Sequence, residues 1–135
     1  MTEEGSPTLP ERNCLVALKT RDGKVYHNIT GRIDLQNDAL IFTLKEQELL
    51  CTLPVAQIVF DSCEALLKGA IFKTGYPSID KQNDKSFYQL LSGGKATLLK
   101  HYSITWQDRT AFNTNNTTRI YKRSEQYYLY LKGQM

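Results

Sequence analysis

"SFYQLLSGGKATLLKHYS", residues 86–103, sets two glycines and a lysine in the middle of an apolar stretch, and the fold turns on how that centre is read. A phosphate-binding P-loop needs a glycine, four residues, then Gly-Lys-Ser/Thr opening a helix whose backbone donors face the anion. Here Gly94-Lys95 is followed by Ala96, and Gln89 stands where the first glycine belongs. "KATLLKHY" then alternates as a strand does, so no helix N-terminus waits for an anion. The stretch reads as a β-hairpin, Phe87–Leu91 and Lys95–His101, around Ser92-Gly93-Gly94. Its arms are expected to send leucines to the core from one face and Tyr88, Lys95 or His101 to water.

The same grammar recurs on both sides. "CLVALKT" precedes Arg21-Asp22-Gly23-Lys24 and then "VYHNIT"; "RIDLQ" precedes Asn37-Asp38 and then "ALIFTL"; "ELLCTL" follows Lys45-Glu46-Gln47. Asp-Gly and Asn-Asp supply positive φ or side-chain turn bonds, so the flanking segments can pair as hairpins. These segments are short and rich in Val, Ile, Leu, Thr and Tyr, which suits strands. Several alternate with period two: Ile33 and Leu35 against Arg32, Asp34 and Gln36, then Leu40, Phe42 and Leu44. Near the C-terminus Tyr127, Leu129 and Leu131 oppose Tyr128, Tyr130 and Lys132. Repeated alternation of this kind marks antiparallel sheet with one wet side.

The expected fold is therefore all-β: about eight antiparallel strands in a meander, forming an open barrel or a sandwich. Its core would draw on Leu15 or Val16, Ile33, Leu35, Leu40, Phe42, Leu90, Leu98 and Leu129. "PVAQIVFDSCEALLKGA" is ambiguous; Val, Ile and Phe at 58–60 favour a strand over 55–61, with room for one short helix near 62–68. "DRTAFNTNNTTR", residues 108–119, reads as an exposed loop, and its glycosylation-like triplets at Asn115 and Asn116, with another at Asn28, are what an Asn/Thr-rich sequence produces by chance. Residues 1–13, acidic and Pro/Gly-containing, read as a flexible lead-in without the character of an export signal. Residues 14–135 form one domain. The last turn, Lys132-Gly133-Gln134, has no strand after it, so a longer native chain is expected.

Composition narrows the function. Residues 1–67 carry six Lys/Arg and ten Asp/Glu, a net of −4; residues 68–135 carry eleven and four, a net of +7. The cations are scattered singly, which suits strand edges guarded against aggregation better than a nucleic-acid surface. No stretch approaches the roughly 20 apolar residues of a membrane-spanning helix. Cys14, Cys51 and Cys63 have apolar neighbours and no CxxC spacing, the pattern of small buried thiols; one disulfide is the alternative. With only His27 and His101 to assist, no metal site is indicated.

No catalytic or cofactor-binding residues emerge. His27 and His101 both fall in strands, and the aspartates fall mostly at turns, where Asp is ordinary. What remains is a surface. "RIYKRSEQYYLYLK" interleaves cations with tyrosines, and a hairpin around Ser124-Glu125-Gln126 would gather them. The candidate contact residues are Arg119, Tyr121, Lys122, Arg123, Tyr128, Tyr130 and Lys132. Such a face could stack on single-stranded nucleic acid, although Tyr is also a common cross-strand partner in any sheet.

Three stretches, "DGKVYHNITGRIDLQNDALIFTL", "FKTGYPSIDKQNDKSFYQLLSGGKATLLKHYS" and "YKRSEQYYLYLKGQM", together resemble uncharacterised exported β-rich proteins of environmental Gram-negative bacteria. The shared features are the "DGK" turn, the "ND" turn before an apolar strand, the "GYP" turn, the "FY" to "LLK" hairpin and the closing "YY" strand. The resemblance implies an antiparallel β domain, periplasmic or extracellular, usually followed by a helical segment. It carries no activity and hence no functional residues. The expected function is a non-catalytic interaction or structural domain of the cell envelope, with another envelope protein or surface as partner and no cofactor. A small-ligand or lipid-binding barrel is the alternative, and single-stranded nucleic-acid binding the third reading.

Overall fold

A computed structural model of the chain describes residues 2–63, 67–110 and 116–135. All-β architecture is what it shows: ten strands in one open sheet, with no helix among the described residues. They are β1 (Thr2–Glu4), β2 (Thr8–Thr20), β3 (Val25–Asp34), β4 (Ala39–Leu44), β5 (Gln47–Leu50), β6 (Val55–Ser62), β7 (Ile71–Lys73), β8 (Tyr88–Ser92), β9 (Ala96–Thr110) and β10 (Thr117–Leu131). The spatial order is β1-β10-β9-β8-β7-β6-β2-β3-β4-β5. Two meanders, β2 to β5 and β6 to β10, join where β2 pairs with β6. Every neighbour is antiparallel except β1, which runs parallel to β10.

The order contains a geometric demand. β1 and β2 lie six strand positions apart, about 29 Å across a flat sheet at ~4.8 Å per strand. Only Gly5–Pro7 join them, and four Cα steps reach at most ~14 Å. The sheet must therefore roll. Register shifts in β2 against both of its neighbours and between Leu90 and Ser92 supply local bends, since a bulge kinks its strand and adds twist. Gly5 closes the roll: at φ +76°, its backbone packs where a Cβ would stand 2.8 Å from the Tyr121 carbonyl oxygen.

The core fills the roll. Val16 and Leu18 from β2, Ile33, Leu40, Ile58, Phe60, Phe72 and Phe87 are buried together with Tyr102 of β9. Phe60 meets Phe72 edge-on at 5.4 Å between centroids, a favoured aromatic geometry. Burying this many large side chains at ~1.5–3 kcal/mol each is the main gain that offsets chain entropy.

Several expectations are corrected. Residues 1–13 hold β1 and the start of β2, with Thr8, Leu9 and Pro10 buried. Of the expected pair, Leu15 or Val16, it is Val16 that faces inward, whereas Leu129 is 61% exposed instead of buried. The 86–103 hairpin forms as Tyr88–Ser92 with Ala96–Thr110, but the side chains expected in water are buried as well. Tyr88 is fully buried and His101 is 7% exposed, because the segment after β7 lays Tyr76 and Gln82 over them. No hairpin turns around Ser124-Glu125-Gln126; β10 runs unbroken from Thr117 to Leu131 against β9. The polar stretch 108–119 is strand at both ends, and its middle, residues 111–115, including the first residue of the triplet at Asn115, lies outside the described residues. So do residues 64–66 of the possible helix; residues 67–69 form a turn.

Cysteine pairing is corrected too. Cys14 and Cys63 form a disulfide with Cα atoms 5.1 Å apart, and Cys51 is free. The register explains it: Leu15 stands opposite Ser62 where β2 pairs with β6, which brings the preceding and following cysteines within bridging range.

Candidate contact face and the cleft beside it

β9 and β10 pair over fifteen residues, from Thr110 opposite Thr117 to Ala96 opposite Leu131. β8 covers β9 only as far as His101, so the far half of this pair extends past the rest of the sheet, flanked by β1 at Thr118–Ile120, with residues 105–110 all exposed. Partners in register share a face. One face carries Lys100, Tyr102, Trp106 and Asp108 from β9, with Arg119, Tyr121, Arg123, Glu125, Tyr127 and Leu129 from β10. The other carries Leu99, His101, Ser103 and Thr105 with Lys122, Gln126, Tyr128 and Tyr130.

The first face is a ladder of alternating cations and rings. The Arg119 guanidinium lies 3.9 Å from the Trp106 ring centroid and is held by Asp108, its Nε donating to Oδ1 at 3.0 Å. That ion pair keeps the Asp108 carboxyl below, and the Arg119 guanidinium above, their ordinary pKa. Lys100 sits 4.9 Å from the Tyr102 ring and 5.7 Å from that of Tyr127, with its ammonium 3.2 Å from Glu125. Burial draws the Lys100 pKa down, but bonds to Tyr102 and Glu125 outweigh it and the net shift is upward. Arg123 lies 5.6 Å from the Tyr102 ring and pairs with no carboxylate among the described residues. Trp106 is 50% exposed and Tyr127 58%. Lys100, Tyr102, Arg123 and Glu125 also wall a cleft of about 350 Å³ whose far side is Leu9, Glu11 and Leu67.

Of the seven residues expected to form a contact surface, Arg119, Tyr121 and Arg123 lie on this face. Lys122, Tyr128 and Tyr130 lie on the opposite one, and Lys132 sits in the closing turn at φ 48°. Tyr130 packs edge-on against Tyr76, and Tyr128 donates its hydroxyl hydrogen bond to Asp80 Oδ2 at 2.6 Å. Tyr127, one of the interleaved tyrosines of residues 119–132, joins this face; Lys100 and Trp106 were missed because the β9–β10 register, which no single segment's pattern contains, brings them into the ladder.

The opposite face borders a larger cleft, about 610 Å³ and open to solvent, between β9–β10, the β3–β4 turn and residues 80–82. His101 is its deepest titratable group. Its Nδ1 lies 2.9 Å from the Gln82 amide nitrogen and 3.1 Å from the Gln126 amide oxygen; it can accept from the first or donate to the second, not both. Asp38 accepts a hydrogen bond from the Ser86 hydroxyl at 3.2 Å, and burial holds its carboxyl above the usual pKa. Behind the cleft, burial pushes the Tyr88 phenol up to about 12, with Tyr128, Asp38 and Asp80 adding to the rise. Asp38 and Asp80 both line this cleft, whereas His27 is exposed on β3. The described residues hold no cluster of three metal-ligating side chains and no helix long and apolar enough to cross a membrane. No protein-family model, curated protein or solved structure matches this chain.

Proposed function

We propose that this chain is a non-catalytic interaction domain of the bacterial cell envelope, and that its contact surface is the cation–aromatic ladder of β9–β10. The observation that carries the reading is the exposed Trp106, Tyr127 and Arg123 on one rigid ribbon face. Trp, Tyr and Arg are the residues that dominate binding energy at protein interfaces. Here they are displayed on paired strands instead of loops, and cross-strand contacts already hold them in place. Little side-chain entropy is then left to lose on binding. The Cys14–Cys63 disulfide supports an oxidising compartment, because such bonds persist mainly in exported proteins.

Site-specific photo-crosslinking in the native host tests it. A photoreactive residue at Tyr127 is expected to yield a discrete adduct in the envelope fraction. The same residue at Tyr26, exposed on β3, yields none, and Trp106→Ala with Arg123→Ala abolishes the Tyr127 adduct. Cytoplasmic fractionation with Cys14 and Cys63 reduced, or identical labelling from both positions, overturns the reading.

A second reading has its own observation. The 610 Å³ cleft holds Asp38, Asp80, His101 and Gln82, and the Gln82 amide oxygen is buried with no partner among the described residues. That lining favours a small polar ligand over the lipid expected of a closed barrel. A hydroxyl-rich ligand that perturbs the His101 ring signals in NMR would support it.

A further inference from the structure

The edge of β10 is capped at both ends and open between. β1 pairs with it only at Thr118–Ile120, and Gly5 then lies against the Tyr121 carbonyl. At the other end Lys132 and Gly133, at φ 48° and 82°, make the two-residue turn of a hairpin. Leu131 donates its N–H to the Gln134 carbonyl at 2.8 Å and accepts from the Gln134 N–H at 2.9 Å. This closing pair fixes the phase of the strand. Because the backbone groups of Leu131 point away from β9, and the register to β9 is unbroken, those of every second residue do so as well. Arg123, Glu125, Tyr127 and Leu129 therefore aim their N–H and C=O groups at an edge with no neighbouring strand among the described residues. The side chains of the same four residues belong to the ladder face.

We propose that this edge binds an extended segment of another protein, added as one more antiparallel strand opposite Arg123–Leu129. Three observations choose the occupant. A second copy pairing through its own β10 would carry its β1 and its Lys132-Gly133 turn into the caps of the first, so the occupant must leave the edge at both ends. Charge grades along the edge, with Lys122 and Arg123 at one end and the exposed Tyr127 and Leu129 at the other. The segment that fits is therefore apolar in its N-terminal half and acidic in its C-terminal half. The open edge of β9 beyond His101 is a poorer template: its residues 105–110 offer mostly charged and polar side chains, the kind that blunt edge pairing. Strand addition draws affinity from main-chain hydrogen bonds and specificity from alternate side chains.

This inference rests on the ladder reading, and the test separates the two. The probe is a blocked peptide, Val-Thr-Tyr-Thr-Thr-Asp-Glu, which sets its glutamate opposite Arg123 and its valine opposite Leu129. Binding near ~100 µM is expected, with amide exchange slowed ~tenfold at Arg123, Glu125, Tyr127 and Leu129 and unchanged at Lys122, Ser124, Gln126 and Tyr128. Glu125→Pro removes one edge donor without touching the β9 ladder, as proline on an edge strand can; it is expected to weaken binding at least ~tenfold relative to Glu125→Thr. Equal binding by the two variants, with Trp106 fluorescence still shifting, overturns the edge pairing and leaves the face reading standing. No binding at ~1 mM peptide, exchange protection that ignores the alternation, or a dimer that Glu125→Pro abolishes also overturns it.

Discussion

Tyr88 carries the least comfortable atom in the protein. Its ring is completely buried, edge-on to Tyr76 at 5.4 Å and Tyr128 at 5.9 Å, yet its hydroxyl has no hydrogen-bond partner among the described residues. A hydroxyl taken from water without a partner costs about 1–3 kcal/mol. Tyr88→Phe keeps the ring and removes that cost, so it is expected to stabilise the fold by ~1 kcal/mol, a rise of a few °C in Tm. Thermal unfolding checks this; a variant less stable than the parent would mean that the hydroxyl has a partner. The same residue shows where the sequence stops being readable. Period-two alternation separates Tyr88 and His101 from Phe87 and Tyr102 onto two faces correctly. It does not say which face is wet, because a sheet covered on one side by a core and on the other by a connecting segment buries both. Leu129 fails in the opposite sense: it alternates like a core residue, but nothing among the described residues lies over it.

At the scale of elements, the hairpins were legible because their cause is local. The Asn37-Asp38, Lys45-Glu46 and Ser92-Gly93-Gly94 turns sit between short alternating runs, and each connects strands that do pair. The β2–β6 pairing has no such local cause. It joins segments whose cysteines are 49 residues apart, and nothing near either cysteine announces the other; their apolar neighbours argued equally well for buried free thiols. The pairing also explains what the disulfide does. β2 and β6 are the seam between the two meanders, so the bond ties together halves that otherwise share one strand interface. Closing a loop of this length constrains the unfolded chain by roughly 4 kcal/mol in the entropic account. Reduction, or Cys14→Ser with Cys63→Ser, is therefore expected to lower unfolding free energy by ~2–4 kcal/mol. Denaturant titration with and without reductant measures it, and coincident curves for the oxidised and reduced protein would exclude a bridging role at the seam.

The whole molecule depends on a corner that looked like a loose lead-in. Rolling the sheet brings the N-terminal end of β2 back beside the middle of β10, and the strip that fastens them is β1 with Gly5–Pro7. Pro7 accepts the Leu35 N–H at 3.0 Å and Thr8 donates its hydroxyl hydrogen bond to the Pro10 carbonyl at 3.0 Å, so the corner is hydrogen-bonded on both sides. At Gly5 two demands coincide: a left-handed φ of +76° and a carbonyl where a side chain would go. Alanine in the left-handed region costs about 1–2 kcal/mol, and a Cβ 2.8 Å from the Tyr121 oxygen forces the two backbones apart. Gly5→Ala is expected to detach β1 while leaving the core, which lies beyond Thr8, assembled. Amide exchange at Arg119 and Tyr121 should then quicken strongly, exchange at Val16, Ile58 and Leu99 should change little, and global stability should fall by ~1–2 kcal/mol. Unchanged exchange at Arg119 and Tyr121 would show that β1 does not fasten the roll. Detachment would also lengthen the open edge of β10 toward Thr117. If a strand is added there, the variant should accept a segment extended at its acidic end, opposite Arg119 and Tyr121, that the parent excludes.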